Sequence, residues 1–268
     1  VNTIAFMGAN FVTRETGNRM PEPGWGEADR VTNERFAPLD GFAERFGRIV
    51  AEVGELGFTS MDVWTAHLNP AWATDRHLEI AAGLLAGHEL SVPSLAGSAG
   101  ADVEYFRGLC RIASAVGAPV IGGMAPVLRT DREAVVAALE EHDLKLGVEN
   151  HPERTPEEYL EAMGDDAGGR IGAALDTGWF GTHGYDAADA IKELGDRIFH
   201  VHLKDVAAPG GHDTVALGDG CVPVRRCVEE LRRIGYTGTI SIEHEPEDRD
   251  PIPEVLTSRE RLRQWLEA

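Results

Sequence analysis

Four segments of the second half of the chain, LKLGVEN, IGAALD, IFHVHLKD and TISIEHE, read as buried strands, and each carries a metal-binding residue type near its end. Those residues are Glu149, Asp176, His202 and Glu243. Three carboxylates and one imidazole make a mixed oxygen and nitrogen set suited to a divalent cation, with Mn²⁺ the first expectation and Mg²⁺, Co²⁺ or Zn²⁺ the others. Two neighbours compete. His200 shares a strand face with His202, and Glu245 shares one with Glu243. His202 is preferred because it sits nearer the strand end, and Glu243 because Pro246 marks where the chain has left the strand. Each ligand alone has a plain structural explanation. Three carboxylates buried together without a cation do not, because their desolvation would be very costly.

Residues this far apart in sequence meet only in a closed fold that gathers its strand ends. A parallel β/α barrel does so, placing the C-terminal ends of all its strands around one mouth. The rest of the chain agrees with it. Strand-like runs occur at 2–8, 58–64, 90–95, 118–124, 144–150, 170–176, 197–203 and 238–244, with helical stretches between them. One of these, GFAERFGRIVAEVGELG, places Phe42, Phe46, Ile49, Val50 and Val53 at helical spacing before a Gly54 and Gly57 stop. Another begins with Thr155 as N-cap and Pro156 in the first turn. Eight alternating units predict an α/β fold, a single (β/α)8 TIM barrel over 1–268, and 268 residues is close to the ~250 typical of that fold. The connection over 9–40 is far longer than the usual ~2–6 residues. In a barrel it would lie over the mouth as a lid, specificity element or subunit contact, and Trp25 or Arg14 could reach the pocket from it.

Other candidate pocket residues follow the strands. Lys204, directly after the strand of His202, could hydrogen-bond a substrate oxygen or form a surface salt bridge. His151 could orient substrate or act as a second base. Trp64 and His67 follow the second strand and Trp179 the sixth, where aromatic faces could stack on substrate C–H surfaces. Composition excludes several classes. Forty-five acidic against 25 basic residues give a net charge of −20, the reverse of what a phosphate backbone attracts, so no nucleic-acid partner is expected. Three cysteines, an odd number without a CxxC pair, favour a reduced, cytoplasmic setting. The first residues lack the pattern of a signal peptide, and no apolar run approaches the ~18 residues that span a bilayer, so no membrane association is expected.

The segments GVENH, ALDTGW, HVHLKD and SIEHE resemble the xylose-isomerase-like barrel superfamily of sugar isomerases and epimerases. The resemblance implies that Glu149, Asp176, His202 and Glu243 hold one divalent metal and that Glu149 and Glu243 also form the acid/base pair. It departs from the ketose 3-epimerases at Trp179, where they carry His, and at Ala208, where they carry Arg. The stretches GANFVTRE and GWGEADR are similar to catalytic subunits of bacterial C-glycoside deglycosidases, which work with a small partner subunit. The superfamily also holds inosose dehydratases and the endonuclease IV group, whose three-metal histidine set is not matched here. The expected activity is therefore a divalent-metal-dependent sugar isomerase or epimerase, catalytic through Glu149, Glu243, His151 and Lys204. It would abstract a proton next to a carbonyl through a metal-stabilised enediolate. A lyase acting on a 3-oxo-sugar is the alternative and a DNA-repair endonuclease the more distant one. The expected partner is a small sugar or polyol, in a homo-oligomer.

Overall fold

The computed structural model describes residues 2–268. Eight short apolar runs form the strands β1 (Ile4–Met7), β2 (Met61–Trp64), β3 (Ser94–Ala96), β4 (Val120–Gly123), β5 (Lys145–Glu149), β6 (Ile171–Asp176), β7 (Ile198–Leu203) and β8 (Ile240–Ile242). Each pairs in parallel with its neighbours in the chain, and β8 returns to β1 through Ile4 opposite Ile240, closing the barrel. All six residues of β6 are buried, which is why it reads as a continuous apolar run: strands covered on both faces lose the alternating pattern. The expected (β/α)8 barrel is present, with helices between the strands.

Two differences from the sequence reading have physical causes. The third strand does not run from Leu90. Pro93 has no N–H to give to a ladder, so regular pairing starts at Ser94, and only an isolated bridge between Ser60 and Ser91 precedes it. The long connection over 9–40 also has structure of its own. It contains two 3₁₀ turns, Gly8–Phe11 and Arg14–Thr16, and the helix α1 (Trp25–Phe36). The buried stripe of α1 is only Ala28, Thr32 and Phe36, one residue per turn and two of them small, so it gives a weak periodic signal. By contrast α2 (Phe42–Glu55) buries Phe42, Phe46, Ile49, Val50 and Val53 as expected. The Thr155 hydroxyl accepts from Glu158 N–H ahead of Pro156, as its cap sequence implied. Ala28 of α1 packs into a small cluster at the barrel mouth with Met7, Trp64 and Ala96, separate from the main core between barrel and helices.

Register decides which side chains reach the mouth. Ala173 of β6 lies opposite Ile198 of β7, but Ala174 lies opposite His200, so β7 carries one extra residue there. An extra residue shifts every later pairing by one and exchanges the faces of the strand. Downstream of this bulge Asp176 is level with His202 rather than Val201.

The mouth ends of β3 and β4 approach so closely that only glycine fits. A Cβ on Gly123, whose φ is +152°, would fall 1.5 Å from the Gly97 carbonyl oxygen. Gly123→Ala is expected to destabilise the barrel by at least ~1–3 kcal/mol through overpacking and backbone strain. Chemical denaturation measures this, and an unchanged midpoint would contradict the close approach.

Candidate active site

At the strand ends, where the ladder stops and loops diverge, three buried side chains continue the pairing. The Asn10 amide donates to Ile242 O and accepts from His244 N–H, bracketing Glu243 between β1 and β8. Asn150 does the same to Asp176, donating to its carbonyl at 3.0 Å and accepting from its N–H at 2.9 Å. The Thr177 hydroxyl donates to Lys204 O and accepts from Lys204 N–H, locking the end of β6 to the end of β7. The polar residues of the mouth therefore project from backbone that is held on both sides.

Within this frame Glu149, His202 and Glu243 converge, with one potential ligand atom from each within 4.8 Å of the others. His202 Nδ1–H donates to Glu149 Oε1 at 2.6 Å, and Glu243 Oε2 lies 3.1 Å from the same nitrogen, outside hydrogen-bond alignment. Asp176, fully buried, is beside this trio. Its Oδ1 accepts from Gly178 N–H, while Oδ2 has no hydrogen-bond partner and lies 3.6 Å from Lys204 Nζ. Lys204 also donates to Glu243 at 2.8 Å and to Glu245 at 2.9 Å. His151 Nε2 is 3.0 Å from Glu149 Oε2, so Glu149 lies between two imidazoles. Of the competing histidines, His200 is turned deeper into the barrel against Asp62, at 2.9 Å, and Ser241. The other ring nitrogen of His202, Nε2, is 3.9 Å from the same Asp62 carboxylate.

These distances separate the carboxyls into two kinds. Burial works to raise Glu149, but the charges of His202 and His151 outweigh it and hold this carboxyl well below its ordinary range. Glu243 is likewise pulled down to about 2 against its burial, by Lys204 and His202. Asp176 and Glu245 are pushed the other way. Burial, reinforced by the charge of Glu243 and opposed by Lys204, raises each to about 7. Burial disfavours the cationic forms of His202 and Lys204, but the surrounding carboxylates hold both well above their ordinary values.

The cluster forms one end of a cavity of about 550 Å³ that opens at the mouth of the barrel. Trp25, Trp64 and Trp179 line it, together with His151 and Lys204. His67 does not. It is buried behind Trp64, its ring 5.1 Å from that indole and 4.8 Å from Phe36 of α1, so the expected substrate contact is replaced by a packing role. Arg14 is also turned away, its guanidinium paired with Glu52 of α2 at 2.6 Å. Several lining residues were not singled out from sequence. Met20 and Met124 carry no chemical signature, and Tyr105 comes from a helix. His212, 5.1 Å from Trp179, belongs to the glycine-rich loop after β7. That loop is shaped by Asp205, whose buried carboxylate accepts from Gly218, Gly220 and Val222 N–H.

A family model described as a xylose isomerase-like TIM barrel matches residues 50–267. The chain belongs to this family. Among its relatives, an uncharacterized protein of Methanocaldococcus jannaschii is 32% identical over 143 residues, 50% of this chain and 46% of that one. A D-psicose 3-epimerase of Enterocloster bolteae is 31% identical over 46% of this chain and 40% of its own. A mannonate dehydratase of Oceanobacillus iheyensis is 29% identical over 41% and 36%. The matches thus span less than half the length of these curated relatives. A xylose isomerase-like barrel protein of Mycobacterium smegmatis, solved in complex with magnesium, superposes with a TM-score of 0.71 at 19% identity, covering 99% of this chain and 97% of that one. The family match begins after the 9–40 insertion, so α1 and Trp25 lie outside it. No helix among the described residues is long and apolar enough to cross a membrane.

The placement of His67 has a measurable consequence. Burial, with the nearby charge of Arg14, pushes its imidazole down to about 3. An unfolded chain takes up this proton near pH ~6.5 while the folded one refuses it, so stability is lost as the pH falls from ~6.5 toward 3, by ~1.4 kcal/mol per unit. His67→Phe should therefore flatten the dependence of unfolding free energy on pH between about pH 6 and pH 4 by one proton's worth. An unchanged slope would mean that the ring is already charged in the folded protein.

Proposed function

We propose that the protein is a divalent-metal-dependent isomerase or epimerase acting on a sugar by proton abstraction next to its carbonyl. The observation that carries this reading is the convergence of Glu149 and Glu243 on His202 Nδ1, with buried, unpartnered oxygens on Asp176 and Glu243 beside it. Such oxygens in a buried acidic cluster fit a divalent cation, which Glu149, Asp176, His202 and Glu243 would hold. The donor set admits Mn²⁺ or Mg²⁺, and magnesium is the ion in the M. smegmatis relative. When bound, such a cation supplies Lewis acidity that stabilises negative charge developing on a substrate oxygen.

The remaining work belongs to side chains. Glu149 and Glu243 are held ionised, as a general base must be before it accepts a proton. One removes a proton from the carbon next to the carbonyl, leaving the electron pair delocalised onto the carbonyl oxygen. Return of a proton to the opposite face of that carbon gives the epimer; return to the former carbonyl carbon, with the hydroxyl proton of the deprotonated carbon passed to the former carbonyl oxygen, gives the aldose–ketose isomer. His151, hydrogen-bonded to Glu149, is placed to pass that proton onward. Lys204 holds Glu243 in place and reaches the cavity, where it can donate to a substrate hydroxyl. A second reading, a lyase that expels a substituent from a 3-oxo-sugar after the same abstraction, is supported by the similarity to a mannonate dehydratase.

After loading with Mn²⁺ or Mg²⁺ and desalting, elemental analysis should find about one ion per chain. Incubation with free sugars and 3-oxo-glycosides in D₂O separates the readings: deuterium uptake without fragmentation marks an isomerase, and fragment release marks a lyase. Glu149→Gln and Glu243→Gln should each slow exchange by ~10²–10⁴-fold. Near-native exchange in a metal-retaining Glu243→Gln protein would remove the two-carboxylate mechanism and leave His151 as the base.

A further inference from the structure

The cavity is chemically two-sided, and its reacting end occupies only part of it. The acidic cluster comes from the ends of β5 to β8. Across the mouth, the wall built by β1 to β4 and the insertion is dominated by Met7, Met20, Trp25, Trp64, Ala96 and Met124. The Trp25 and Trp64 rings meet edge to face at 5.5 Å, and since Trp64 is almost wholly buried the open aromatic face is that of Trp25. Trp25 and Met124 are each 42% exposed, and both belong to this wall. Ordinary packing leaves few such side chains open, and an apolar wall facing a polar cluster across one cavity is the signature of an amphiphilic ligand.

Charge narrows the ligand further. Asp29, Glu149, Glu243, Glu245 and Glu247 line the cavity, and among the described lining residues Lys204 is the one lysine or arginine. Two of the three N–H donors of its amine are already taken by Glu243 and Glu245, and its charge is offset by Asp176 as well. Even with a divalent cation offsetting the charge of Glu149 and Glu243, a phosphate would meet Asp29, Glu245 and Glu247 with no arginine fork to receive it.

We propose that the substrate is an uncharged sugar derivative carrying a planar apolar substituent. The sugar lies at the carboxylate cluster and the substituent against Trp25, Trp64 and Met124. This rests on the reading of the cluster as the sugar-reacting end. Trp25, supplied by the insertion, is then a specificity-determining residue.

Binding tests the idea without turnover. Isothermal titration of the metal-loaded full chain with phenyl β-D-glucoside, methyl β-D-glucoside and glucose 6-phosphate should give the phenyl compound an affinity at least about tenfold above the methyl one, as one stacked ring provides. Glucose 6-phosphate should be the weakest. Trp25→Ala and Met124→Ala should each bring the phenyl-to-methyl ratio toward one, whereas a merely structural role would weaken both ligands alike. Equal affinity for the two glucosides, tightest binding of the phosphate, no detectable binding of the phenyl compound at millimolar concentration, or a ratio untouched by both variants would overturn the proposal. A phenyl preference without deuterium exchange on any sugar would instead remove the isomerase reading and leave the ligand class standing.

Discussion

Four carboxylates, Glu149, Asp176, Glu243 and Glu245, share the mouth of this barrel with two buried cationic side chains, His202 and Lys204. That imbalance governs the site. Charge leaves water at high cost unless it is paired, and here the pairing is incomplete. The strain divides unevenly. Glu149 and Glu243, each with two cationic neighbours, stay ionised, while Asp176 and Glu245, opposed chiefly by Lys204, are pushed toward neutrality. Carboxyls pushed in opposite directions within a few ångströms are the pattern that marks candidate functional sites. Such a cluster survives folding only because the barrel makes it unavoidable. Its strands are bound on both sides, and Asn10, Asn150 and Thr177 extend that binding one residue further than the ladder does.

Much of this was legible in the amino-acid sequence, for a physical reason. Strand ends in a parallel barrel point at one place, so a ligand-type residue closing an apolar run is already assigned a location. Glu149, His202 and Glu243 were found that way, and the structure brings them together; Asp176 arrives beside them. His67 was not separable by the same logic. It sits three residues beyond β2 in a turn, where no strand alternation governs direction, and the partner that buries it is Phe36, thirty-one residues earlier in the chain. Lys204 was read as either substrate donor or salt bridge. It makes both kinds of contact available, being paired with three carboxylates while it lines the cavity. The helix α1 escaped notice because its buried stripe is two small residues and one phenylalanine, too slight a pattern to stand out among the charges around it.

The insertion and the barrel divide the work between them. The family model covers the barrel from residue 50, including the four carboxylates of the cluster, whereas Trp25 belongs to the segment before it. That segment is fastened from several directions: Met20 N–H donates to Glu247 O, Arg14 pairs with Glu52, and the Trp72 indole donates to Asn33. It is therefore part of the wall of the cavity rather than a loose cover. The acidic cluster and the aromatic wall that faces it therefore come from different stretches of chain.

The bulge in β7 gives this arrangement an unusual kind of memory. The level at which Asp176 meets His202 depends on how many residues separate Ile198 from His202, not on what those residues are. The geometry of the site is in that sense stored as a count. Substitution can rewrite the letters of the strand, provided that inward and outward positions keep their character, and the alignment survives. Loss or gain of a single residue there cannot be compensated by any choice of side chain, because every position beyond it changes face. Sequence drift and length drift are thus felt very differently by this barrel: it is permissive toward the first and unforgiving of the second at one strand.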